Sequence, residues 1–153
     1  ANGGEVAAQY PGGAAQRSGD IDDGAGRGAA AQVADLAAAS ARLEAAWAAM
    51  TEDGWRGSGE SFVGTVAVND LPFRRWRETT LHHTDLGLGY GWADWPADYV
   101  RLELGRMTMQ WASRKPMGLT TLPAAALALS EAERVAWLTG RREVPGLDAA
   151  GIF

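Results

Sequence analysis

Glu78 and His82 stand four residues apart in Leu71-Pro-Phe-Arg-Arg-Trp-Arg-Glu-Thr-Thr-Leu-His-His-Thr-Asp-Leu86, a stretch that also holds the other histidine of the chain, His83. One turn apart on a helix, a carboxylate and an imidazole can close on a single metal ion. Leu71, Arg75, Glu78, His82 and Asp85 share one helical face, because steps of three or four residues return to the same side. Asp85 is thereby placed to accept the ring N–H of His82 and orient the imidazole. His83 is about 100° further round the helix and leaves that face. The same spacing suits a structural reading, in which Glu78 pairs with Arg74 or Arg75 and His82 is packed. Two ligands are also not a catalytic site, since zinc in such sites takes three protein ligands and keeps one open position. With two His and no Cys in the chain, the third ligand is His83, a carboxylate or a residue from elsewhere.

The elements that must carry these groups follow from periodicity and punctuation. The spacing predicts a helix that starts after Asn69-Asp70, tolerates Pro72 in its first turn and is stopped by Gly87, Gly89 and Gly91. Ala29 to Met50 predicts an Ala-rich helix with Val33, Leu36, Ala37, Ser40, Leu43 and Trp47 on its apolar face. Glu44 falls on that face and is expected at its open end or in an ion pair. Ser61 to Val68 is β-branched and predicts a short strand or hairpin, with Gly64 at a turn or bulge. Asp94-Trp-Pro-Ala-Asp-Tyr-Val opens a further helix with Pro96 in first position, ending near Lys115-Pro-Met-Gly118. Leu119 to Leu122 is read as a short strand. Ser130 and Glu133 form a capping box for a helix over Glu131 to Leu138, which Gly140 ends. Ala1 to Gly28, Thr51 to Gly59 and the tail from Val144 to Phe153 are read as loops.

Composition narrows the functional classes. The chain has 153 residues, 46% hydrophobic, with seven Trp, enough apolar surface for a core. Its net charge of −5 argues against a nucleic-acid partner, which requires a basic surface. Arg74-Arg75-Trp76-Arg77 is basic and aromatic but lies inside the central helix. No stretch is apolar and long enough to span a membrane, and no signal peptide is visible. Without Cys there is neither a disulfide nor a nucleophilic thiol in the chain itself. The first residue is Ala rather than Met, and a processed product or a fragment is the expectation. Trp92 and Trp95 are expected to pack the core, or to wall a pocket mouth.

Trp76-Arg-Glu-Thr-Thr-Leu-His-His-Thr-Asp-Leu-Gly87 resembles the R-E-x-x-x-H-x-x-D-L segment of the mycothiol-dependent maleylpyruvate isomerase family, whose members carry a DinB-like metal-binding helix bundle. Glu5-Val-Ala-Ala-Gln-Tyr-Pro-Gly-Gly13, with Gln16-Arg17 and Asp20-Ile21, resembles the loop after the second bundle helix of that family. Asp94-Trp-Pro-Ala-Asp-Tyr99 and Ala136-Trp-Leu-Thr-Gly-Arg141 are similar to later family segments.

The resemblance implies a divalent metal, commonly zinc, held by two His and one Glu, of which Glu78 and His82 match two. The remaining family His would lie upstream of the Tyr-Pro-Gly-Gly loop, so the expectation is a fragment or a variant lacking that ligand. It implies an Arg facing the metal cleft, best matched by Arg141, whose guanidinium would bind a substrate carboxylate. Arg17 is the cofactor-side candidate on the loop. It also implies mycothiol as the thiol cofactor, which suits a chain without Cys. The implied reaction is cis–trans isomerisation: thiolate adds to the cis double bond of maleylpyruvate, the adduct rotates, and elimination gives fumarylpyruvate.

The architecture expected is mainly α: the later helices of a DinB-like four-helix bundle with a short β hairpin over residues 1–115, then a small C-terminal α/β segment over 116–153. The expected protein is a cytoplasmic enzyme with a small-molecule substrate and no nucleic-acid or membrane partner. Standing alone, this part of a bundle is expected to be marginally stable or to self-associate through its exposed face. Two rivals remain at this level: a non-catalytic bundle or fragment with an incomplete metal site, and a metal-dependent hydrolase on the same scaffold.

Overall fold

A computed structural model of the chain describes residues 10–61, 64–115, 117 and 120–152. It is mainly helical, with one two-stranded antiparallel sheet among those residues. The chain forms two compact units, Ala1–Pro72 and Phe73–Phe153.

In the first unit, α2 (Ala29–Ala48) is the Ala-rich helix that periodicity predicts. Ser40, Leu43 and Trp47 are half-buried, while Val33, Leu36 and Glu44 are exposed. Two loops of the sequence reading are in part helical. Within the expected loop Ala1–Gly28, α1 runs over Gly13–Ala25. It buries no residue, so it offers no apolar period to read. Helix-forming Ala and Gln build it, and the Gln16 side chain accepts the Gly12 N–H at 2.8 Å. Glu5 to Gln9 of the resembling segment lie outside the described residues.

Within the expected loop Thr51–Gly59 lies α3 (Glu52–Arg56). The Thr51 hydroxyl accepts the Gly54 N–H at 3.1 Å, an N-cap that supplies one of the unpaired donors of a helix start. β1 (Ser58–Ser61) and β2 (Gly64–Ala67) then pair with Ser58 opposite Ala67 and Ser61 opposite Gly64. The hairpin alternative is thus the one adopted, shifted towards the N-terminus; Phe62 and Val63 lie outside the described residues. Gly64 has φ +106°, a conformation that costs Gly little.

α4 (Leu71–Asp85), which lies in the second unit from Phe73 onward, has the bounds that the caps and glycines predict. Gly87 and Gly89 follow it with φ +66° and +92°. After a 3₁₀ turn over Trp92–Asp94, α5 runs over Ala97–Ala112, with Pro96 as its N-cap rather than its first residue. Two short helices complete the unit: α6 (Ala124–Leu127), which the sequence reading lacks, and α7 (Glu131–Leu138). The Ser130/Glu133 capping box is present as expected. The strand expected over Leu119–Leu122 is absent at residues 120–122; Pro116, Gly118 and Leu119 lie outside the described residues. Backbone groups there serve α5 instead. The Thr120 N–H donates to the Ala112 carbonyl, and the Thr121 carbonyl accepts the Trp111 indole N–H at 3.0 Å. The C-terminal segment therefore holds helices and loop, and no strand, among its described residues.

Two clusters form the core of this unit. Leu81, Trp95, Tyr99, Val100, Val135 and Ala136 join α4, α5 and α7, with Phe73 and Trp76 against them. Tyr99 lies 5.6 Å from the Trp76 ring and edge-on to Trp95 at 5.7 Å. Met107, Trp111, Ala126, Trp137, Leu138 and Ala150 form the second cluster, which holds the tail through Val144, Leu147 and Ile152. Arg77 turns inward and bonds Glu103 at 2.7 Å. The basic-aromatic run is thus not a uniform surface: Trp76 and Arg77 serve the interior.

Candidate functional site

The inner face of α4 sets the outer one. Phe73, Trp76, Arg77 and Leu81 pack inward at helical spacing, which turns Glu78 and His82 outward, 59% and 64% exposed. His82 Nε2 lies 3.2 Å from Glu78 Oε2. Two ligands of one tetrahedral zinc lie roughly 3.3 Å apart, given metal–ligand bonds of about 2.0 Å. The pair therefore has the separation that a shared cation needs. The opposite ring nitrogen, Nδ1, is 2.9 Å from Asp85 Oδ2. With its proton on Nδ1 the ring turns the Nε2 lone pair towards Glu78; with both nitrogens protonated it bridges the two carboxylates.

Asp85 is held in turn from the far end of the unit. Arg141 donates Nε–H to Asp85 Oδ1 at 3.0 Å and Nη2–H to Oδ2 at 2.7 Å, the two parallel bonds of a bidentate pair. Its Nη1 donates to the Thr139 carbonyl at 2.5 Å. Arg141 reaches this position because α7 ends in a tight reversal. Gly140 takes φ +75°, the Arg141 N–H bonds the Ala136 carbonyl at 2.7 Å and the Gly140 N–H bonds that of Trp137 at 3.1 Å. That pair of bonds is the Schellman motif, which favours glycine at the left-handed residue. The Thr-Gly-Arg order thus aims the guanidinium back at α4.

The loop after α4 is pinned as well. The Trp95 indole N–H donates to Thr84 Oγ1 at 2.9 Å. His83 turns away from the Glu78–His82 pair and stacks on Tyr90, with ring centroids 4.1 Å apart and planes 7° from parallel. Trp92 lies under the Arg142 guanidinium, 4.6 Å from ring centroid to Cζ. Arg17 is on α1 in the first unit and is exposed. No group of three His, Cys, Asp or Glu able to hold a metal occurs among the described residues. The separation of Glu78 and His82 would fit a shared cation, and no such third group stands with them among those residues.

The model of the mycothiol maleylpyruvate isomerase N-terminal domain matches residues 1–87. The chain belongs to that family. The matched region contains Glu78, His82 and Asp85 and stops well before Arg141. Comparison with curated proteins and with solved structures finds no match. Among the described residues, no helix of this family member is long and apolar enough to cross a membrane.

Helical spacing placed Asp85 beside His82, and the family resemblance implied Arg141 at a metal cleft, but as separate groups. Their direct bond, like the Tyr90 stack on His83, has no signal in local spacing. The bond has an electrostatic consequence. Arg141 holds the Asp85 carboxyl below its ordinary range; slight burial opposes this and the His82 bond adds to it. A carboxylate with a depressed native pKa adds stability that is complete above its unfolded value of about 3.9 and is lost as pH falls through the native value. The side chain is 38% exposed, so the contribution is small. In Arg141→Ala the Asp85 titration midpoint is expected to rise. Carboxyl ¹³C shifts read against pH check this, and an unmoved midpoint would contradict the assigned cause.

Proposed function

We propose that this chain is part of a metal-dependent, mycothiol-using enzyme that resembles maleylpyruvate cis–trans isomerase. Glu78 and His82 would supply two ligands to a divalent cation, zinc by preference for a nitrogen and carboxylate set. The observation that carries the reading is the 3.2 Å separation of Nε2 and Oε2 on an exposed face, with Nδ1 committed to Asp85. When bound, the cation would lower the pKa of a coordinated thiol, so that the cofactor reacts as thiolate at neutral pH. The residues of this chain do the orienting. Glu78 faces Nε2, and Asp85, opposite Nδ1, fixes the imidazole plane. The substrate is a small molecule with a conjugated cis double bond. A soluble thiol cofactor, kept reduced, suits the cytoplasm.

The absence of a third ligand among the described residues favours one alternative, a bundle whose metal site is incomplete within this chain. Zinc titration by calorimetry tests both readings, beside Glu78→Ala and His82→Ala. One-to-one binding that weakens by at least about 100-fold in each variant is expected, since even outer partners of a metal site cost 10–100-fold. Cobalt(II) in place of zinc, followed by mycothiol, then gives a sulfur-to-cobalt charge-transfer band if the thiol is a ligand. Weak binding lost in both variants, with no such band, would support the incomplete site. Affinity equal in wild type and variants would remove Glu78 and His82 from the metal altogether.

A further inference from the structure

We infer that Arg141 is a positioning residue for His82, acting through Asp85. The reading of Glu78 and His82 as a ligand pair gives the inference its consequence, but the inference itself rests on three linked contacts. Arg141 holds both oxygens of Asp85. Asp85 Oδ2, the nearer oxygen of that fork, also faces His82 Nδ1. His82 Nε2 faces Glu78.

Each link removes a freedom that the previous one leaves. His82 is on an exposed helix face, where a lone imidazole would sample several rotamers and both neutral tautomers. Asp85 alone does not cure this, because an exposed aspartate at the last residue of α4 can rotate about its own side chain. A bidentate guanidinium permits only one carboxylate plane. Arg141 is itself restrained: its side chain is 15% exposed, its third edge is used by the Thr139 carbonyl, and its backbone is locked by the Gly140 reversal. The stiffness of the α7 terminus thus reaches the imidazole through two hydrogen-bonded steps. This role differs from direct capture of a substrate carboxylate. Three of the five guanidinium N–H groups are already directed at Asp85 and Thr139.

The test uses the whole 153-residue chain and ¹H–¹⁵N spectra of its two histidine rings, zinc-free and during zinc titration, for wild type, Arg141→Ala and Arg141→Lys. In wild type the His82 Nδ1–H is expected to be protected from solvent exchange. In Arg141→Ala that protection is lost and zinc affinity falls about 10–100-fold, the scale of an outer-partner deletion. Lysine restores the charge but only as a point, so Arg141→Lys recovers part of both. The His83 ring, held on Tyr90 and outside the relay, reports whether the unit is still folded. An Arg141→Ala chain with His83 unmoved and with His82 protection and zinc affinity both unchanged would overturn the inference. If Arg141→Ala does not fold, Arg141→Lys decides alone: wild-type protection at His82 overturns the inference, and reduced protection with His83 unmoved supports it. Zinc-independent loss of His82 protection in a chain that binds no zinc would uphold the positioning role and reject the metal reading.

Discussion

Replacing Arg77 by methionine is expected to destabilise the second unit by about 3–5 kcal/mol, the scale of breaking a buried ion pair from one side. Glu103 on α5 is fully buried, and its Oε1 accepts Arg77 Nε–H at 2.7 Å. Its second oxygen has no hydrogen-bond partner among the described residues. The pair is thus under-satisfied already, and loss of the guanidinium would leave an uncompensated carboxylate in the core. The neighbouring Tyr99 offers no relief as a second charge. Burial first, and the Glu103 charge second, push its phenol well above the ordinary range, so it stays neutral. Methionine has roughly the length of the Arg77 stem, which limits the cavity contribution. The double variant Arg77→Met/Glu103→Leu is expected to recover most of the loss, because buried pairs often exchange for apolar residues at little cost. Urea unfolding followed by tryptophan fluorescence measures both, with five of the seven Trp in this unit. A loss below about 1 kcal/mol in the single variant would mean that Glu103 is solvated or finds another cation, since that is the scale of exposed pairs.

Trp137→Ala is expected to cost about 3–5 kcal/mol, the range for deleting a large aromatic from a packed interior. Trp137 is 2% exposed and lies 5.2 Å from the Trp111 ring at 46°. Its indole N–H bonds the Asp148 carbonyl at 3.0 Å, so one residue both fills the second cluster and ties down the tail. Trp137→Phe separates the two roles: it keeps most of the ring and loses the hydrogen bond, worth about 1 kcal/mol. Amide exchange locates the effect. The Leu147 N–H, bonded to the Val144 carbonyl, is expected to lose protection in Trp137→Ala before the α5 amides do. Uniform loss across the unit would mean instead that the tail does not open separately.

Much of the arrangement of Glu78, His82 and Asp85 could be read before any coordinates, and the reason is the short range of the forces involved. Glu78, His82 and Asp85 fall together because 3.6 residues per turn is a local property of the backbone. The Ser130/Glu133 box and the Gly140 stop are equally local, since the bonds of each close between residues no more than five apart. Where local signals were weak, the reading failed. α1 buries nothing and α3 is five residues long, so neither presents an apolar period. The strand expected over 119–122 had suitable residue types but lacks a partner strand among the described residues, and its backbone groups were taken by α5.

Sequence alone therefore determined that a carboxylate and an imidazole would share one face of a helix, with an aspartate behind the ring and an arginine after a glycine later in the chain; that this face is exposed came from the tertiary structure. It could not determine that the arginine and the aspartate, 56 residues apart, bond each other, or that Arg77 of the basic-aromatic run turns inward to meet Glu103, 26 residues on. Those pairings depend on the path the chain takes between them. Packing of α4, α5 and α7 around Tyr99 and Leu81 sets that path, and no spacing along the sequence encodes it.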